Sequence, residues 1–226
     1  MGVIIKFRGP EWFYGFDAII QLFGSIIALV LAIYGYKAYK LSHQKKYLYF
    51  SMAFGLLAIN LIIYALFIPA VFIVYNFYSG IDMGFALQVG QILNFIFMAA
   101  TLGAYILLIA SYAKLEQKSV ILILLALSLV VSLFAFRFSS ITGFNLTAVL
   151  LLLAVMAYNC KNCIQTKSRT AMLVFLSFFL IALGHLFFVG SGISTEAFLI
   201  GHIAQLIGYV SLLIMFIKVH NHAKKN

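Results

Sequence analysis

The chain has 226 residues, 65% of them hydrophobic and only 9% charged, with a mean hydropathy of +1.12. About a quarter of the residues of a soluble domain are Asp, Glu, Lys or Arg, so this chain cannot cover a water-facing surface, and soluble enzymes, nucleic-acid-binding domains and disordered tails are excluded. The formal net charge of +10 therefore needs a meaning other than nucleic acid, and the placement of the charges supplies one.

A membrane-spanning helix needs roughly 20 mainly apolar residues, because the hydrocarbon core is about 30 Å thick and a helix rises about 1.5 Å per residue. Seven segments qualify, at 14–37, 47–74, 84–113, 119–136, 141–160, 170–190 and 195–218. None alternates apolar and polar residues as a barrel strand would, and helices satisfy their own backbone in lipid. The predicted fold is an all-α integral membrane protein, one transmembrane domain over 1–226 with seven helices.

The charges fall between these helices. Lys37, Lys40, Lys45 and Lys46 flank the first connection, Lys114 and Lys118 the third, and Lys161, Lys167 and Arg169 the fifth; Lys218, Lys224 and Lys225 form the tail. These are twelve of the fifteen basic residues, all on one side, while the other side carries Lys6, Arg8 and Arg137 with Glu11, Asp17, Asp82 and Glu196. The positive-inside rule then puts the N-terminus outside and the C-terminus in the cytoplasm, in the cell membrane. Trp12, Phe13, Tyr14, Tyr75 and Tyr78 are expected at the outer interface, and Tyr36, Tyr39, Tyr47, Tyr49 and Tyr112 at the inner one. The first long apolar run is itself a full span rather than a cleavable signal peptide.

Long basic connections join helices 1 and 2 and helices 5 and 6, and the two halves of the chain are weakly alike. Lys37, Phe54, Leu56 and Ala58 fall on Lys161, Phe178, Leu180 and Ala182; Gly90 to Asn94 falls on Gly201 to Gln205 at a smaller offset, since the outer loop after helix 6 is the shorter one. The pattern predicts parallel three-helix repeats, helices 1–3 over 14–113 and helices 5–7 over 141–218, joined by helix 4 at 119–136. This 3+1+3 plan resembles the SWEET sugar transporters, a resemblance of organisation that implies two units rocking about a solute site. Their motifs are missing: Pro10 and Pro69 are the only prolines, so the proline hinges of that family have no counterpart. The run from Tyr36 to Asn60, a Tyr-x-Ala-Tyr-Lys stretch, a polar turn, a basic pair and an aromatic helix, is also similar to uncharacterised archaeal multi-spanning membrane proteins, which implies no activity.

Polar side chains within spans are expensive and face the bundle interior or a cavity. On helix 3, Gln88, Gln91, Asn94, Met98, Thr101 and Tyr105 share one face; on helix 7, His202, Gln205 and Tyr209 do so. Asp17 and Gln21 lie just inside helix 1, above a stripe of Gly24, Ala28 and Ala32 that suits close helix packing. Helix 6 adds Gly184 and His185. By topology most of these occupy the outer half of the membrane. Asp17, Gln21, Gln88, Gln91, Asn94, His185, His202 and Gln205 are the candidate ligand-binding residues, and interhelical hydrogen bonding is the structural alternative for each.

His185 and His202 at matched depth admit a haem or metal site or a proton relay, although zinc requires three or four ligands and no HxxxH pair is present. Cys160-Lys161-Asn162-Cys163 lacks further cysteines to complete a zinc set. Helix 7 has no lysine before Lys218, so a retinal Schiff base has no attachment point, and no phosphate loop, nucleophile elbow or close carboxylate pair argues for an enzyme. The leading expectation is permease-like binding and transport of a small polar or amphipathic solute. The alternatives are a receptor or sensor module that signals to a separate cytoplasmic protein, and a bis-histidine haem or metal protein. The expected partners are the lipid bilayer, a small-molecule ligand, and a further copy of the chain or a cytoplasmic protein.

Overall fold

The computed structural model describes residues 13, 15–77, 83–115, 117–137 and 141–223, apart from the side chains of 68, 70–77, 83–87, 137 and 219–223. The described residues form seven helices: α1 (Phe16–Ser42), α2 (Lys45–Phe77), α3 (Met83–Tyr112), α4 (Lys118–Arg137), α5 (Ile141–Thr166), α6 (Arg169–Gly190) and α7 (Thr195–Ala223). Each is long and apolar enough to cross a membrane, as the hydropathy predicts. Of the expected interface residues, Trp12, Tyr14 and Tyr78 lie outside the described residues, as do the side chain of Tyr75 and, among the charges, Lys6, Arg8, Glu11, Asp82, Lys224 and Lys225.

The long basic connections expected after helices 1 and 5 are instead helix. Lys, Gln, Tyr and Leu favour helix more than turn, so α1 and α5 run on past the apolar segment and end in two-residue turns. The two turns are built alike. His43 (φ 53) and Lys167 (φ 48) each take the left-handed conformation that ends a helix. Their N–H groups donate to Tyr39 O (2.7 Å) and Cys163 O (2.9 Å). Ser42 Oγ donates to Ala38 O (2.8 Å) and accepts from Gln44 N–H (3.4 Å); Thr166 Oγ1 donates to Asn162 O (2.9 Å) and accepts from Ser168 N–H (3.4 Å). Every residue of one turn has its counterpart 124 positions on in the other. The Cys160–Cys163 pair lies inside α5 as two free thiols.

Six helices close a ring. α1 packs on α2, α2 on α3, α3 on α5, α5 on α6, α6 on α7, and α7 returns to α1. α4 lies outside it against α3 and α5, and only 22% of its spanning window is buried, against 33–50% for the other six. Its row of Leu122, Ile123, Leu127, Val130, Leu133 and Phe134 is exposed, as a lipid-facing surface should be.

The ring is drawn tight by small residues and carbonyl-seeking hydroxyls. Ala28 and Ala32 of the α1 stripe are buried, and Gly24 carries the ring of Tyr209 on its bare Cα. At Gly35 a Cβ would come within 3.2 Å of the Ser51 backbone, and Ser51 Oγ donates to Ala32 O at 2.8 Å. Asn60 Nδ2 reaches Phe97 O (3.1 Å) and Thr101 Oγ1 (2.9 Å), joining α2 to α3 near mid-membrane. Between there and the basic turns, Leu31, Phe54, Leu102, Leu108, Leu152, Val155, Phe178 and Leu212 are fully buried in one hydrophobic cluster. Apolar side chains fill this half of the ring.

Candidate functional site

Toward the opposite end the described residues of the ring surround a cavity of about 410 Å³, within the usual size range of small-molecule sites. All six ring helices line it and α4 does not. Leu57, Leu61, Met98, Thr101, Tyr105 and Tyr209 contribute its mid-membrane part; Phe67, Phe97, Phe144, Phe188 and Phe198 give it aromatic walls.

Six of the eight residues singled out from sequence line this cavity: Asp17, Gln21, Asn94, His185, His202 and Gln205. Gln88 and Gln91 do not. They are exposed on α3, about one and two turns before Asn94. Asp17 is 3% exposed, and its Oδ1 accepts from the N–H groups of Gly15 (3.0 Å) and Ala18 (2.8 Å), closing the first turn of α1.

The polar groups form two sets, one about each histidine. Asn145 Nδ2 donates to Ile141 O at 2.9 Å, which turns its Oδ1 toward His185 Nδ1 at 2.8 Å. An amide oxygen only accepts, so His185 carries its proton on Nδ1. Its Nε2 then accepts from the Tyr105 hydroxyl, 2.8 Å away. Three helices, α3, α5 and α6, meet in this chain, caged by the rings of Phe144 and Phe188 at 6.0 and 6.2 Å from the imidazole.

His202 belongs to the second set. Gln21 Nε2 lies 3.4 Å from its Nδ1, joining α1 to α7. The rings of Phe198, Phe188 and Phe13 stand 4.6, 4.8 and 5.9 Å from the imidazole. Phe13, expected at the outer interface, is itself buried and packs against His202, two residues before Gly15 at φ 100. The histidine is 3% exposed, and among the described residues its Nε2 has no hydrogen-bond partner.

Both ring nitrogens of His185 are engaged, so ligation of a haem or metal there would displace Tyr105 or Asn145. The described residues hold no group of three or more His, Cys, Asp or Glu side chains placed to bind a metal ion. Polarity along single helix faces does not single out Asn145, because helix 5 offers no polar stripe, nor the other cavity residues Tyr64 and Ser191. A signal for Asn145 existed: the offset that carries Lys37 onto Lys161 carries Gln21 onto Asn145.

Seven apolar helices, six of them about an internal cavity with buried histidine, amide and phenol groups, define an all-helical multi-pass membrane protein with a candidate ligand site inside the membrane. The chain matches no protein-family model, and no curated protein or solved structure is significantly similar to it.

Proposed function

We propose that the protein is a permease-like carrier of the cell membrane that takes a small polar or amphipathic solute into this cavity from the outer side. The observation that carries the reading is the asymmetry of the ring: an aromatic-walled, six-helix cavity with buried polar groups in one half and a core of buried apolar side chains in the other. That is the form of a carrier open toward one side, with the other closed.

Two three-helix repeats would supply the moving parts. Support comes from the matched turns at His43 and Lys167 and from helix adjacency. Exchanging α1–α3 for α5–α7 turns each ring contact into another ring contact, α1 on α7 becoming α5 on α3. Phe54 and Ala58 are buried as their counterparts Phe178 and Ala182 are. Under this symmetry the α3–α5 and α7–α1 seams are where one unit rocks against the other, and the cavity lies between them.

The orientation follows from the basic turns facing the cytoplasm. Ile193, 95% exposed in the turn between α6 and α7, lies at the opposite end. In a Cys160→Ser/Cys163→Ser background, Ile193→Cys is expected to react with a membrane-impermeant maleimide on intact cells, whereas native Cys163 reacts only in inverted vesicles. The reverse labelling would turn the molecule over.

Transport itself is tested by solute counterflow into proteoliposomes over a panel of labelled neutral and amphipathic solutes. Accumulation abolished by Gln205→Leu, with the protein still folded, is the expected result. A solute that raises the melting temperature but never moves would leave a receptor in place of a carrier.

A further inference from the structure

The chemistry of the cavity narrows the ligand further, on the reading above that it is a binding site. Gln21 Nε2 faces His202 Nδ1 at 3.4 Å, and an amide nitrogen only donates. Nδ1 therefore accepts, and the ring proton sits on Nε2. That N–H is buried and, among the described residues, unpartnered, an arrangement unfavourable enough to be rare in folded proteins. Among the described residues, the rings of Phe13, Phe188 and Phe198 pack against the imidazole and offer it no oxygen or nitrogen acceptor. The Tyr105 hydroxyl, by contrast, is committed to His185.

Charge limits the choice. Asp17 lines the cavity and, among the described residues, no Lys or Arg does, so an anion would meet a carboxylate without a counter-cation in a low-dielectric site. A simple cation offers the histidine N–H no lone pair, and Asp17, the carboxylate that would draw one, already accepts from two backbone N–H groups. We propose that the cavity binds an uncharged, aromatic-bodied ligand through a carbonyl-type oxygen that accepts from His202 Nε2–H, with the phenylalanine walls holding the apolar part. The cavity also reaches the lipid-facing surface at Ile63, which lines it and is 36% exposed, as suits a ligand that partitions into the bilayer.

Benzophenone is a suitable probe, because near-ultraviolet light attaches it to neighbouring C–H bonds and peptide mapping then locates it. In nanodiscs it is expected to label cavity residues such as Met98. As competitors, 1,1-diphenylethylene (the carbonyl oxygen replaced by CH2) should be about tenfold weaker than unlabelled benzophenone, and the anion 4-benzoylbenzoate should not compete over the same range. His202→Phe should bring the ketone and the alkene to equal potency, while His202→Gln, which keeps an N–H, should preserve the preference even if the phenylalanine variant does not fold. Equal potency in the unmodified protein, a preference that survives His202→Phe, or stronger competition by 4-benzoylbenzoate or by the donor diphenylamine would each overturn the proposal. Labelling confined to lipid-facing residues such as Ile123 and Leu150, without competition, would remove the binding site itself and this ligand class with it.

Discussion

Gly184→Ala is expected to lower the melting temperature of the detergent-solubilised protein by roughly 4–8 °C, whereas Gly55→Ala should leave it unchanged or raise it slightly. The two glycines are both mid-helix, so helix propensity alone predicts a gain of about 0.5–1 kcal/mol at each. Space decides the sign. At Gly55 a Cβ would find its nearest neighbour, Ala32 Cβ, at 3.9 Å, an ordinary contact. At Gly184 it would collide with Gln205 Cγ and fall 2.8 Å from the backbone oxygen of Gly201. The backbone cannot yield without parting α6 from α7, and overpacking of this kind amounts to about 2 kcal/mol, or 2–4 °C per kcal/mol in a chain of this size. Gly208→Ala belongs with Gly184→Ala, because its Cβ would meet Ser177 O at 2.9 Å and Ile181 Cγ1 at 2.7 Å. Equal shifts at Gly55 and Gly184 in a thermal melt would refute the close-approach account. The Gly184 substitution also pushes on Gln205, so it should weaken ligand binding more than its loss of stability alone would.

Small residues on α6 and α7 thus have a part in the site as well as in the fold, and sequence makes this only half visible. The number and rough extent of the helices are legible because lipid demands a long apolar run and little else imitates one. The sidedness of charge is legible for the same reason. The helix ends are not: α1 and α5 continue beyond their apolar segments because water-facing helical turns rich in Lys, Gln and Tyr leave no hydropathy trace. Among the site residues, Asn94, His202 and Gln205 are found because period and polarity agree on one face. Gln88 and Gln91 share that face by period yet are exposed, and sequence periodicity says nothing about how far a neighbouring helix reaches. Asn145 is missed for the opposite reason. A single polar residue on an apolar helix makes no pattern, and its role depends on a histidine 40 residues away.

Tyr105→Phe and Asn145→Leu are each expected to destabilise the protein by about 1–2 kcal/mol, and the double variant by clearly less than the sum. One interhelical hydrogen bond in a membrane protein contributes about 0.6 kcal/mol on average and at most about 1.7. Here each deletion also strands a polar atom of His185, which is 4% exposed and ringed by phenylalanine, so the losses belong at the upper end of that range. Sub-additivity follows from the imidazole lying between its partners. Donation from Nδ1 to Asn145 Oδ1 raises the electron density at Nε2 and strengthens its acceptance from the Tyr105 hydroxyl, and the reverse holds as well. Removing either partner weakens the other bond, so the shared part is lost only once. A double-mutant cycle by equilibrium unfolding in mixed micelles measures the coupling, and nitrogen-15 NMR of labelled histidine should show the His185 proton on Nδ1 in the unmodified protein. Strictly additive losses, or a His185 proton on Nε2, would mean that Tyr105, His185 and Asn145 merely touch. A coupled triad, in contrast, locks α3, α5 and α6 at the cavity wall and leaves α1 and α7, joined through Gln21 and His202, as the side on which a ligand can act.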